Sequence, residues 1–325
     1  MKAIAQDTYG SADVLTLDDI DIPSFGEGEV LIRVMAAGVD PGVWHLMSGR
    51  PYLVRAMGFG LRKPKVRVRG RDVAGVVETV GASVTGIRVG DEVFGTCESG
   101  SFAEFAVAPD KQLAIKPSNL TFEQAAVVPI SAVSALQAVR DSGSVQAGQR
   151  VLVIGAAGGV GSFAVQIASA MGASVTGVCS AAKTDLVRSL GAVDVIDYAQ
   201  DEITVNGPVY DVVIDTAGNR PISLLRKAMT PKGTLVLVGG EHGGGPMLGG
   251  FERQIMSPFI SVFTSQRLTG LVAKEGAADL EALTRLIESG AVTPVLDRTY
   301  PLAQAADAIR YLEEGHARGK VVVII

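Results

Sequence analysis

Apolar residues recur in two different rhythms along this chain. From Ile4 to about Val107 they form short runs broken by glycine, such as Val30-Leu31-Ile32-Arg33-Val34, Val73-Ala74-Gly75-Val76-Val77 and Asp91-Glu92-Val93-Phe94. Such runs predict a Gly-rich β-domain. One segment breaks the pattern: Asp40-Pro41-Gly42 opens with an N-cap residue and a first-turn proline, and Gly49 can end the turn, which predicts a short helix over 41–47. From about residue 121 strands alternate with amphipathic helices. Ala125 to Asp141 leads, the buried-strand run Arg150-Val151-Leu152-Val153-Ile154 follows, and further strands fit 174–179, 193–196, 210–215 and 234–238. Strands this apolar belong in a parallel sheet covered on both faces, so the region reads as an α/β, doubly wound sheet of βαβ units. The tail adds a strand near 267–272, helices near 277–289 and 303–314, and a last strand at 320–325.

Composition narrows the classes. With 325 residues, 47% hydrophobic and 19% charged, and a net charge of −5, the chain can bury two cores and is too apolar for a disordered or nucleic-acid-coating protein. Few aromatic side chains argue against a base-stacking surface, so no nucleic-acid partner is expected. The longest apolar stretch, Ala125 to Val139, is interrupted by Pro129, Ser131, Ser134 and Gln137, so no membrane span is expected. Asp7 arrives before an apolar core of signal-peptide length, which predicts a cytoplasmic protein. Cys97 and Cys179 are the only cysteines and His45, His242 and His316 the only histidines, too few for a zinc ribbon or a disulfide framework, and no metal site is expected.

The strongest chemical signal follows the strand that ends at Ile154. Gly155-Ala156-Ala157-Gly158-Gly159-Val160-Gly161 leads into an apolar helical pattern at Phe163, Ala164, Ile167, Ala168 and Met171. Strand, glycine turn and helix in this order let the backbone approach a pyrophosphate, held by N–H groups at the helix N-terminus. At the end of the next strand, where an acid would bind a ribose 2′-hydroxyl, the chain has Cys179-Ser180-Ala181-Ala182-Lys183. Ser180 offers a hydrogen bond and Lys183 a charge to a 2′-phosphate, which favours NADPH over NADH.

Together the β-domain, the helix headed by Asp40, the Gly90-Asp91-Glu92-Val93 run and the Gly158-Gly159-Val160-Gly161 turn resemble the medium-chain dehydrogenase/reductase superfamily. The chain is most similar to its zinc-independent quinone oxidoreductase, or zeta-crystallin-like, branch. That resemblance implies a GroES-like β-rich catalytic domain over 1–120, completed by 261–325, and a Rossmann domain over 121–260. The zinc-dependent relatives have a cysteine ligand and a Gly-His-Glu motif where this chain has Asp40 and Gly70-Arg71-Asp72. Without a Lewis acid, a conjugated acceptor eases hydride delivery by spreading charge, so quinones and α,β-unsaturated carbonyls are the implied substrates.

Carried over position by position, the resemblance places Asp40, Ser134 and Val238-Gly239-Gly240 near the nicotinamide, and Tyr198 beside Ser180 and Lys183. Asp40 stands where those relatives have asparagine, and is either an N-cap alone or also a site residue. His45 falls at a family tyrosine and Tyr52 close to a second one. Either helps to protonate or orient a reduced carbonyl, or both are packing residues. A homodimer joined through the nucleotide domain is implied too. An enoyl-thioester reductase and a non-catalytic NADPH-binding protein are the alternatives.

One segment falls outside this frame. Arg50, Arg55, Arg62, Lys63, Lys65, Arg67, Arg69 and Arg71 occur with no acid among them. Lys65-Val66-Arg67-Val68-Arg69 alternates as a half-buried strand would, with its three charges on one exposed face. Such a segment is either a solvated face or borders the substrate cleft and attracts an anionic acceptor such as an acyl-CoA thioester.

Overall fold

A computed structural model describes residues 1–239 and 247–325. The chain divides into two compact units, one of residues 1–133, 275–290 and 294–325, the other of 134–274 and 291–293.

The first unit is built on a seven-stranded sheet. Its path runs Leu296–Pro301, Lys320–Ile324, Glu29–Val39, Asp72–Val80, Glu92–Thr96, Leu113–Ile115, and Phe105–Pro109 pairs with the long Glu29–Val39 strand off that path. Alternation along these strands turns Val30, Ile32, Val34, Val73, Val77 and Val93 into one core. The helix Pro41–Ser48 follows directly from the longest strand and buries Val43 and Met47 against Val321, Val323 and Ile309. Asp40 caps it and Gly49, at φ 63°, ends it in the left-handed region, as the sequence predicts.

The second unit holds six parallel strands in the order Asp194–Asp197, Ser174–Cys179, Arg150–Ile154, Tyr210–Asp215, Met229–Leu237, Arg267–Gly270. Counted along the chain this is third, second, first, fourth, fifth, sixth, the doubly wound dinucleotide order, whose direction reverses beside Arg150–Ile154. Leu152, Ile154, Val213, Leu225, Leu235 and Leu237 lie in its core. Among the described residues no helix is long and apolar enough to cross a membrane.

Three expectations differ from what is observed. The helix expected over Ala125 to Asp141 divides into Phe122–Ala125, opened by a Thr121/Gln124 capping box, and Pro129–Leu136, which widens into a π turn over Gln137–Ser142. Pro129 has no N–H to continue the first piece and starts the second. The unit boundaries fall at 133/134 and 274/275 rather than 120/121 and 260/261. Phe122–Ala125 packs on the strands Glu29–Val39 and Asp72–Val80, the Ile130 N–H donates to Asp72 Oδ1 at 2.8 Å, and Arg267–Gly270 pairs with Met229–Leu237.

The segment Lys65 to Arg69 is not a strand with an exposed charged face. Only Val68 forms a bridge, to Ala5, and Arg69 is buried. The Arg69 N–H reaches the Ile4 carbonyl at 3.2 Å while the Arg67 carbonyl accepts from Gln6 N–H at 2.9 Å, and the Arg69 guanidinium turns back onto the Val66 carbonyl.

Candidate functional site

In the second unit the turn after Ile154 has the shape a pyrophosphate needs. Gly155 adopts φ 80°, open to glycine at little cost, and its carbonyl accepts from Gly158 N–H at 2.9 Å. Gly158 heads the helix Gly159–Ala170 with no side-chain cap, so the first-turn N–H groups are left for a ligand. A Cβ on Gly161 would collide with the Gly155 carbonyl, so helix and strand approach closely because that position has no side chain. Gly159 and Val160 form the first turn itself. This cradle fits a dinucleotide.

Ser180, Lys183 and Tyr198 meet at the carboxyl end of Ser174–Cys179. Ser180 directly follows the strand and heads a short turn with its hydroxyl uncommitted to capping; the Lys183 N–H donates to its carbonyl at 2.9 Å. Tyr198 N–H donates to the Cys179 carbonyl at 3.1 Å and its side chain is exposed. Asp197 faces Cys179 across the ladder, with Oδ1 accepting from the Ala199 N–H at 3.1 Å. Val238 and Gly239 extend the strand Met229–Leu237, both N–H groups bonded to the Asp215 carbonyl at 2.9 and 3.3 Å. Gly240 lies outside the described residues. Ser134 is buried on the helix Pro129–Leu136.

Sequence reasoning missed one pair at this edge. Asp215, fully buried at its strand end, accepts from the Ala217 and Gly218 N–H groups at 3.2 and 3.1 Å and from Arg253 Nη2 at 2.8 Å. Arg253 Nε and Nη1 are buried with no hydrogen-bond partner among the described residues. An acid closing an apolar strand was visible in the sequence, but its cation lies 38 residues on and no local pattern joins them.

In the first unit Asp40 is an N-cap, with Oδ1 accepting from Gly42 N–H at 2.7 Å. Among the described residues its Oδ2 is buried with no hydrogen-bond partner, so the carboxylate has unspent capacity beyond the cap. One turn on, His45 Nδ1 lies 2.7 Å from the Arg50 carbonyl. A carbonyl only accepts, so Nδ1 carries the proton. Burial pulls the His45 pKa down, against the opposing pull of the Arg50 carbonyl and Asp40. Tyr52 stands apart from this pair on the turn Tyr52–Val54, half exposed, its ring beneath the Arg55 guanidinium at 4.9 Å.

Arg71 and Asp72 complete the neighbourhood. Arg71 donates to Glu275 at 2.7 Å; burial lowers its pKa, but Glu275 and Asp40 more than offset this and leave it raised. Asp72 is fully buried, with Lys320 Nζ 3.6 Å from Oδ2, and burial pushes its pKa up. Burial also holds Cys97 as a thiol, its pKa pushed up to about 12.

Comparison with known proteins agrees with this layout. Residues 26–118 match the family described as alcohol dehydrogenase GroES-like domain, and 190–323 match zinc-binding dehydrogenase. An Arabidopsis thaliana NADPH-dependent alkenal/one oxidoreductase of the chloroplast is 35% identical over 343 residues, covering 99% of this chain and 79% of the relative. The solved quinone oxidoreductase of Coxiella burnetii superposes with a TM-score of 0.85 at 28% identity, covering 100% of this chain and 99% of its own. A mycobacterial protein solved with NADPH gives 0.83 at 29% identity, covering 100% of both.

A GroES-like unit and a dinucleotide-binding sheet in one chain define an oxidoreductase of the nicotinamide type. The chain belongs to the medium-chain dehydrogenase/reductase superfamily, in its quinone oxidoreductase branch.

One matched family is described as zinc-binding, and the residues around Asp40 do not fit that ion. One Asp40 oxygen is spent on the helix cap, and the Arg71 guanidinium, itself a cation, lies within electrostatic reach. Among the described residues no three His, Cys, Asp or Glu side chains are grouped to hold a metal.

Proposed function

We propose that this protein is an NADPH-dependent, zinc-independent reductase of quinones and α,β-unsaturated carbonyls. The observation that carries the reading is the second unit's glycine cradle, joined at the next strand end by Ser180, Lys183 and Tyr198 instead of an acid. The names of its relatives support the acceptor class. When bound, NADPH supplies a hydride, and the acceptor takes it together with one proton.

The chain's own residues bind, orient and protonate. Gly158, Gly159, Val160 and Gly161 take the pyrophosphate; Ser180, Lys183 and Tyr198 take the 2′-phosphate. Ser134, Val238 and Gly239 border the nicotinamide. Asp40 Oδ2 accepts a hydrogen bond from a bound amide or hydroxyl. His45, with its Nδ1 proton spent on Arg50 and its pKa lowered, is neutral near pH 7 and orients rather than protonates. Tyr52, with an exposed hydroxyl donor, or solvent delivers the proton.

A homodimer belongs to this proposal. Among the described residues the edge strand Arg267–Gly270 pairs on one side only, and the helix Glu252–Val262 packed against it exposes Ile255, Met256, Phe259 and Val262, with Phe263 just beyond. Two free, buried cysteines suit a reducing compartment, and the cytoplasm is the proposed location.

The test is cofactor oxidation by chelator-treated protein offered an ortho-quinone, a neutral enone and an enoyl-CoA, with NADPH and NADH in parallel. The proposal expects turnover that survives chelation, prefers NADPH and favours the quinone or enone. Turnover restored only by added zinc, or confined to the enoyl-CoA, would contradict it.

A further inference from the structure

The first unit contains a cavity of about 440 Å³ whose lining includes Leu46, Phe59, Lys65, Arg69, Arg71 and Glu98. Apolar side chains, glycines, three cations and one carboxylate line it. Arg71 is already neutralised by Glu275, and Lys65 and Glu98 are exposed at the rim. Arg69 differs from all of them. It is only 4% exposed, and among the described residues its Nε is buried with no hydrogen-bond partner while its guanidinium otherwise bonds only to the Val66 carbonyl.

A buried cation without a counter-charge is costly, and an anion placed beside it recovers that cost. Tyr9 is the acidic side chain that acts on Arg69, and its phenol is committed as a donor to the Gly60 carbonyl at 2.6 Å with its own pKa raised by burial. No counter-ion comes from it. Burial meanwhile lowers Arg69 to about 10, which still leaves the guanidinium charged at neutral pH.

We infer that this cavity is a carboxylate subsite, in which Arg69 binds the terminal carboxylate of an acceptor whose hydrocarbon chain lies against Leu46 and Phe59. The inference rests on the proposed reductase reading and names the acceptor more narrowly: a quinone or enone on an apolar chain that ends in a carboxylate. Leu46 lies on the helix that Asp40 caps and that carries His45, and Arg71 couples electrostatically to Asp40, so two residues of the cavity lining are tied to the candidate site of this unit. A polyanion such as coenzyme A fits less well, because one unspent guanidinium faces it and Glu98 at the rim opposes it.

Two measurements test this. In the first, KM is compared for a straight-chain enone with a terminal carboxylate and for its methyl ester. The wild type should favour the carboxylate by about tenfold or more, corresponding to roughly 1.4 kcal/mol. In Arg69→Met the ratio should collapse toward one, and in Lys65→Gln it should fall by about threefold, the scale of an exposed charge. Lys111→Gln, an exposed cation elsewhere on the same unit, should keep the wild-type ratio.

In the second, calorimetry follows binding of the saturated carboxylate, which no reductase can turn over. Binding weakened about tenfold by Arg69→Met supports the subsite even if no acceptor is ever reduced. Equal preference for acid and ester in active wild-type enzyme, or Arg69-dependent binding of a saturated acyl-CoA in preference to the carboxylate, overturns it while leaving the reductase reading intact.

Discussion

Burial fixes the protonation state of His45, and that state has a measurable consequence. Its pKa lies below the ordinary 6.5, so between that value and its lower folded value the unfolded chain binds the extra proton. His45 therefore contributes stability in full above about pH 6.5, and loses it as pH falls toward the folded pKa. Denaturant midpoints of wild type and His45→Gln should diverge above pH 6.5 and converge on acidification; a pH-independent difference would refute this reading. Lys183 is tested by binding. Lys183→Ala should weaken NADPH by about tenfold and leave NADH unchanged, since only the former carries a 2′-phosphate. Equal weakening of both in fluorescence titrations would return Lys183 to a helix-start residue. These local residues were legible because turn and charge lie within a few positions of each other. Arg69 was not: alternation from Lys65 onward predicts exposure, and only backbone hydrogen bonds from this segment to the distant Ile4 and Gln6 show why it is inside.

At the scale of elements, the close crossing of Gly159–Ala170 over Gly155 leaves no room for a side chain. Gly161→Ala should cost about 1–3 kcal/mol in chemical denaturation, the range for overpacking, and weaken NADPH binding with it. A variant that keeps both would mean that the helix can shift without consequence. The strands Arg150–Ile154, Ser174–Cys179 and Tyr210–Asp215 were legible to the residue because each is a short run rich in Val, Ile and Leu between turn signals. The division of the helix at Pro129 was less so, since the apolar run of Ala125 to Val139 continues straight through it. Asp215 and Arg253 were hidden for another reason: their pairing exists only once the sheet and the helix Glu252–Val262 are assembled.

For the whole molecule, two units were expected from length and rhythm, but their boundaries were set by pairing that no rhythm reports. Asp72 draws the start of Pro129–Leu136 into the first unit, and edge pairing keeps Arg267–Gly270 in the second. The exposed apolar helix beside that edge strand carries the dimer proposal. Phe259→Glu combined with Phe263→Glu should yield a monomer in sedimentation velocity while NADPH still binds; a wild-type chain that is itself monomeric at micromolar concentration would end that part of the account. The central claim is direct hydride transfer to a conjugated acceptor, and isotope tracing tests it most directly. With NADPH deuterated at the transferred C4 position, mass and NMR analysis of the reduced enone should find one deuterium at the β-carbon and a solvent proton at the α-carbon. A product without deuterium, or with it at the carbonyl carbon, would contradict the account.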